Sequence, residues 1–211
     1  MPDGTTLEMR CATTPIFGGE SVALRLVDSR RIAGPFALQG SRGEQFLAEV
    51  QRGAGGIILV TGPTGSGKST SLSAALSTID GVDKVIRSLE DPVEATVPGI
   101  LATSVGGPSG ITFASGLKTF LRMNPDFISI GEIRDQEVAE LAVTASLTGH
   151  GVFATLHTSG GAETISRLLD LKLSQRTVAN VLRAVLSQRL FPKLCQKSTN
   201  ITLTPSGRPS S

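Results

Sequence analysis

Residues 57–61, Ile-Ile-Leu-Val-Thr, form an apolar β-forming run that ends abruptly in the loop GPTGSGKST. A short continuous apolar run bounded by glycines reads as a buried strand. The helix that follows is expected from about 67 to 79. Beyond it the two periods alternate. KVIRSL (84–89) is a strand stopped by Asp91-Pro92, and DFISI (126–130) and GVFATL (151–156) are buried-type strands. Phe113, Leu117, Phe120 and Leu121 recur at helical spacing within 111–122, and 135–147 is a helix closed by Gly149. Helices are expected over 162–171 and 174–187. Upstream, Phe46, Leu47 and Val50 place a helix from Glu44 to near Gly53. Before that, LEMRCA (7–12) and SVALRLV (21–27) read as two strands around a Thr-Pro/Gly-Gly turn region, a pair that is marginal in water by itself. This order predicts an α/β domain on a mostly parallel sheet. The expected segments are a partial N-terminal strand-pair subdomain (1–29), a linker (30–41), the α/β core (42–197) and a Ser/Thr/Pro-rich tail (198–211) expected to be disordered.

Composition narrows the class. The 211 residues are 39% hydrophobic and 18% charged, with a formal net charge of +2, which fits an ordinary globular core. That charge is too small to imply a nucleic-acid or membrane partner. Trp and Tyr are absent and no arginine-rich stretch occurs, so a base-stacking surface is disfavoured. No apolar run approaches the roughly 20 residues that span a bilayer, and MPDGTTLEMR lacks the order of a signal peptide. Cys11 and Cys195 lie far apart and form no CxxC pair. A cytosolic, thiol-reduced protein is expected, with any membrane role supplied by partners.

The loop carries the sharpest chemistry. Gly62, Pro63, Thr64, Gly65, Ser66, Gly67, Lys68 and Ser69 match G-x-x-x-x-G-K-[ST], and Thr70 follows. Between a strand and a helix, such a loop turns its backbone N–H groups into an anion nest, with the helix N-terminus behind them. Lys68 is expected to neutralise the β- and γ-phosphates and the Ser69 hydroxyl to hold Mg²⁺. In an open parallel sheet ligands bind past the carboxyl ends of the strands. There the chain places Glu90, Asp91 and Glu94, then Gly131 and Glu132, then His157 and Thr158. Glu132 is assigned to polarising the attacking water, and Glu90 to the Mg²⁺ shell.

Beyond the phosphate loop, LEDPVE (89–94), LRMNPDFISIGEIRD (121–135) and TGHGVFATLHT (148–158) resemble the aspartate box, Walker B segment and histidine box of the secretion ATPases. These are the motors of type II secretion, type IV pili and related conjugative pili. The resemblance implies a RecA-like core working as a homo-hexameric ring with ATP between subunits. It implies that Glu132 is catalytic, that Glu90 and Glu94 lie in the aspartate box with Asp91 beside them, that His157 senses the γ-phosphate and that His150 supports that box. MRCATTPIFGGESVALRL (9–26) is similar to the end of the family's second N-terminal domain, where two arginines reach the γ-phosphate. Arg10 and Arg25 occupy matching positions. Arg134 is a supporting residue that could equally be an ion-pair residue holding its loop. Implied partners are an inner-membrane platform and pilus or secretion assembly proteins, which would hold a cytoplasmic protein peripherally at the inner membrane. The chain starts within what resembles a larger N-terminal region. Gln188-Arg189-Leu190 is followed by a lone Cys195, so no zinc is expected. A nucleic-acid-translocating RecA-like ATPase and a non-catalytic nucleotide-binding assembly fragment are the competing readings.

Overall fold

The computed structural model describes residues 8–27, 41–53, 55–79, 83–94 and 96–192. The expected linker over 30–40 and the tail at 198–211 lie outside the described residues.

The sheet is built on β3 (Gly56–Thr61), whose six residues are all buried. Its side chains alternate between two apolar clusters, as the two-residue strand period requires. Ile57 and Leu59 join one, and Ile58 and Val60 join the other. β3 therefore needs helices on both faces. On one side lie α3 (Phe113–Phe120), α4 (Gln136–Leu147), α5 (Gly161–Asp170) and α6 (Gln175–Val181), contributing Leu117, Phe120, Ala142, Leu168 and Val178. On the other lie α1 (Ser41–Arg52) and α2 (Lys68–Leu76), contributing Phe46, Val50, Leu72 and Ala75. Side-chain caps start three helices. Thr112 accepts from Ser115 N in a capping box, Asp135 from Val138 N, and Ser174 from Thr177 N, each satisfying an orphan donor of its first turn.

The remaining strands are β4 (Ile86–Glu90), β5 (Ile100–Ser104), β6 (Phe127–Ile130), β7 (Gly151–Leu156) and β8 (Leu182–Ser187). They line up as β5-β4-β6-β7-β3-β8, and every pairing is parallel. All carboxyl ends thus reach one edge. β1 (Glu8–Ile16) and β2 (Gly19–Val27) form a separate antiparallel hairpin turning at Phe17-Gly18. These strands extend further toward the turn than expected. The register sets Arg10 opposite Arg25, and Met9, Val22, Leu24 and Leu26 are exposed.

Two elements depart from the sequence reading. The helix expected over 174–187 ends at Val181, and 182–187 is β8. Val178, Val181, Leu182, Val185 and Leu186 keep a three-to-four spacing that mimics a helix. What overrides it is β3, whose second row of buried N–H and C=O groups needs a partner. β8 supplies one, pairing Leu59 with Val185 and Thr61 with Ser187 after a one-residue bulge at Arg183. β5 was not expected either. It is an edge strand whose residues after Ile100 are not buried, so it carries little apolar signal.

Gly116 tests the packing between α3 and β4. A Cβ there would lie 2.6 Å from Leu89 Cδ2 and 3.3 Å from Ile111 Cγ2, and Leu89 is fully buried. Gly→Ala inside a helix ordinarily gains about 1 kcal/mol, whereas overpacking costs about 1–3 kcal/mol. Gly116→Ala is expected to lower stability by about 1 kcal/mol, read as a reduced urea midpoint by far-UV circular dichroism. A raised midpoint would show that Leu89 yields freely.

Candidate nucleotide-binding site

The phosphate loop leaves β3 through backbone that only glycine adopts comfortably. Gly62, Gly65 and Gly67 have φ of 151°, 77° and 82°. A side chain on Gly62 would also meet Ser66 Oγ at 2.6 Å and collide with the Gln188 carbonyl. Gly67 occupies the N-cap of α2 and has no side chain to cap it, so first-turn N–H groups are left for an anion. Ser69 and Thr70 stand exposed in that turn.

Lys68 opens α2 and is 8% exposed. Its Nζ donates to Gly62 O at 3.0 Å and Pro63 O at 3.2 Å, and lies 3.3 Å from His157 Nδ1. Burial lowers its pKa, and the nearby charge of Glu132 opposes that shift. An ammonium can only donate, so with Lys68 charged Nδ1 is the acceptor and neutral His157 carries its proton on Nε2. That nitrogen lies 3.4 Å from Glu132 Oε1. His157, just past β7, therefore joins the loop lysine to the carboxylate just past β6.

Glu132 is held from its other side. Arg134 Nε donates to Glu132 Oε2 at 2.7 Å, and Arg134 Nη1 reaches Asp91 Oδ2 at 3.2 Å. The guanidinium also lies 5.8 Å from the Phe113 ring centroid. Gly131 makes this convergence possible. Its N–H donates to Leu89 O at 2.7 Å, its carbonyl accepts from Thr155 Oγ1, and a Cβ would stand 3.0 Å from Leu89 O. Glu90 lies beside it, half-buried, accepting from Ser88 Oγ at 2.8 Å. Its pKa is raised, chiefly by burial and also by the charge of Glu94, although the Ser88 hydroxyl and the Glu94 amide lower it.

The structure brings Gly62–Thr70, Glu90, Asp91, Glu94, Glu132, Arg134 and His157 to the carboxyl edge of the sheet. It does not bring His150 there. His150 precedes β7, at the amino edge, and Nδ1 lies 3.0 Å from both Ala145 O and Thr148 Oγ1. Its backbone N–H also donates to Ala145 O. His150 closes the C-terminus of α4, and contact with the aspartate box across the length of β7 is ruled out within one chain. The side chains of Arg10 and Arg25 lie outside the described residues. One contributor was missed. Gln188, past β8, donates from Nε2 to Ser66 O at 2.5 Å and from its backbone N to Thr61 O at 2.9 Å. The signal was available, a polar residue ending an apolar run, but a helix reading of 174–187 hides it.

The family described as Type II/IV secretion system protein matches residues 2–210. The chain belongs to that family. It is 43% identical over 196 residues to the type II secretion system protein E of Pseudomonas aeruginosa, covering 91% of this chain and 39% of that one. It is 41% identical over 198 residues to the type IV pilus assembly ATPase PilB of Myxococcus xanthus, covering 92% and 35%. The chain therefore spans less than half the length of these curated relatives. Among solved structures, the pilus retraction motor PilT with bound ADP superposes with a TM-score of 0.71 at 32% identity, covering 89% of this chain and 60% of that one. The family's RecA-like P-loop fold accounts for the parallel sheet with β3 and its loop inside it.

Glu90 gives a pH test. A carboxyl whose pKa is raised by folding contributes stability that is fully present below its unfolded value, 4.5, and lost as pH rises through the higher folded value. Gln has no such loss. In metal-free buffer, the stability of Glu90→Gln relative to the parent chain should increase from below pH 4.5 toward neutrality, measured by urea midpoints. A pH-independent difference would mean that Glu90 is solvated.

Proposed function

We propose that this chain is the ATP-hydrolysing core of a motor for type II secretion or type IV pilus assembly or retraction. The observation that carries this reading is the Lys68–His157–Glu132 connection, which sets an acid beside a phosphate loop. Loop N–H groups and Lys68 bind and neutralise the β- and γ-phosphates. Glu132 accepts a hydrogen bond from the attacking water and polarises it. His157, already in contact with Lys68, lies where a γ-phosphate would be felt.

Among the described residues, no group of three or more His, Cys, Asp or Glu side chains could hold a metal. Mg²⁺ takes most of its ligands from phosphates and water. Glu90 fits as one contributor, because its carboxylate is bonded to a hydroxyl and a backbone amide and the charge beside it is another carboxylate. Ser69 and Glu90 would hold the ion, which would neutralise charge on the phosphates.

The working unit is a ring of six copies with ATP between neighbours, docked to an inner-membrane platform from the cytoplasmic side. The described helices include none long and apolar enough to cross a membrane. The hairpin belongs to an N-terminal subdomain whose rotation carries Arg10 and Arg25 to the γ-phosphate, where permanently charged planar donors suit a phosphate in transition.

Two pairs of variants test this. Lys68→Ala should lose binding of a fluorescent ATP analogue, whereas Glu132→Gln should keep binding and lose about 10²-fold or more in phosphate release. Binding without turnover by the parent chain in every oligomeric state would favour the non-catalytic reading, and stimulation by single-stranded DNA would favour the nucleic-acid motor.

Arg25→Ala should lower turnover far more than ATP affinity, because the loop and Lys68 still hold the ground state. Mixing Arg25→Ala with Glu132→Gln subunits should restore part of the activity, since some mixed interfaces regain both groups. No recovery on mixing would place both groups in one subunit. Normal turnover by Arg25→Ala alone would remove the arginine from the mechanism.

A further inference from the structure

The end of β8 is bound both to the end of β3 and to the phosphate loop that follows it. Thr61 Oγ1 lies 2.9 Å from Ser187 Oγ, and Gln188 N donates to Thr61 O at 2.9 Å. The Gln188 side chain then crosses to the loop and donates from Nε2 to Ser66 O at 2.5 Å. A Cβ on Gly67 would stand 3.3 Å from that same Nε2, and one on Gly62 would collide with the Gln188 carbonyl. Two atoms of this contact, Ser66 Oγ and Gln188 Oε1, are buried without a hydrogen-bond partner.

Peptide planarity says what the Gln188 contact accomplishes. In a trans peptide the C=O and N–H point in opposite directions. The Ser66 carbonyl is drawn toward Gln188 on the β8 side, so the Gly67 N–H in the same plane points away from β8. Gly67 is left-handed and carries no side chain, so it could turn over cheaply if nothing held the peptide. We propose that Gln188 is a positioning residue for nucleotide binding, which pins the Ser66–Gly67 peptide so that the Gly67 N–H is aimed at a diphosphate oxygen. This rests on the nucleotide-binding reading above and adds to it a residue outside the loop motif. It also gives β8 a role at the site, because the strand that satisfies β3 leads directly into the residue that sets the loop.

The test uses Mg-ADP, which needs no turnover. Gln188→Met keeps the length and loses the donor. Its dissociation constant for Mg-ADP should rise about tenfold, or ~1.4 kcal/mol, and Gln188→Glu should lose more because it also adds a negative charge. In an isotope-labelled parent chain, ADP should slow hydrogen exchange of the Gly67 amide. In Gln188→Met that protection should be lost while the β3 amides of Leu59 and Val60 stay protected, a local signature that general loosening would not produce. Unchanged ADP affinity and unchanged Gly67 protection in Gln188→Met, with affinity lost in Lys68→Ala, would overturn the role of Gln188 and leave the nucleotide site standing. Parent-like ADP affinity in Lys68→Ala would bring down both. Should the variants fail to fold, the parent chain decides, since a Gly67 amide indifferent to ADP overturns the inference.

Discussion

The site depends on one buried ammonium. Lys68 begins a helix, where the local dipole already disfavours a cation, and its side chain is withdrawn from water. Such a charge persists only where acceptors replace its hydration. The fold provides three acceptors from two places, the Gly62 and Pro63 carbonyls of its own loop and Nδ1 of His157 beyond β7. Glu132 beyond β6 adds an attractive field. The loop's first two residues, β7 and β6 are therefore all required by the position of one side chain. An anion in the loop would serve the same charge, so the groups that make Lys68 tolerable are also those that would answer to a nucleotide.

Parallel pairing makes that convergence possible. The residues after β3, β4, β6, β7 and β8 come from sequence positions spread over more than a hundred residues, yet each emerges at one edge because every strand runs the same way. Helices on both faces bury every residue of β3, β6 and β7. Stability is thus concentrated below the site, and the polar groups sit where the apolar layers end. Gly131 shows the same division locally. Its missing side chain lets the end of β6 lie against β4, and Glu132 then meets His157 past β7 directly and Asp91 past β4 through Arg134.

What was legible in the sequence follows from which forces are local. The loop motif is local chemistry, and Gly62, Gly65 and Gly67 have the positive φ that their residue type advertises. The buried strands were legible because an apolar run between glycines has few other uses. Strand-end acids could be placed because a parallel sheet fixes the side on which they emerge. The failures are all tertiary. β8 carries a helical spacing and becomes a strand because β3 needs a partner, and Gln188 was lost with it. β5 is too exposed to be seen. His150 shares a motif with His157 but stands at the other end of β7, because the strand between them runs the depth of the sheet.

The charged residues along the edge form a sequence with fixed donor direction. With Lys68 charged it donates to His157 Nδ1, the single N–H of that imidazole is then on Nε2, 3.4 Å from Glu132 Oε1, and Arg134 donates to both Glu132 and Asp91. The two cationic groups can only donate and the carboxylates only accept, so no link can reverse without moving a proton. Magnitudes say what these links are for. Arg134 is about half exposed, with a side-chain accessibility of 54%, and ion pairs of that kind contribute about 0–1 kcal/mol. A clasp that weak adds little to folding. What it does is hold the Glu132 carboxylate in one orientation, through Nε on one oxygen and a second contact to Asp91. The edge is therefore better described as an orienting network on a rigid sheet than as a set of stabilising salt bridges. The apolar layers beneath have already fixed the strand ends, so the polar groups need only set the direction in which each side chain points.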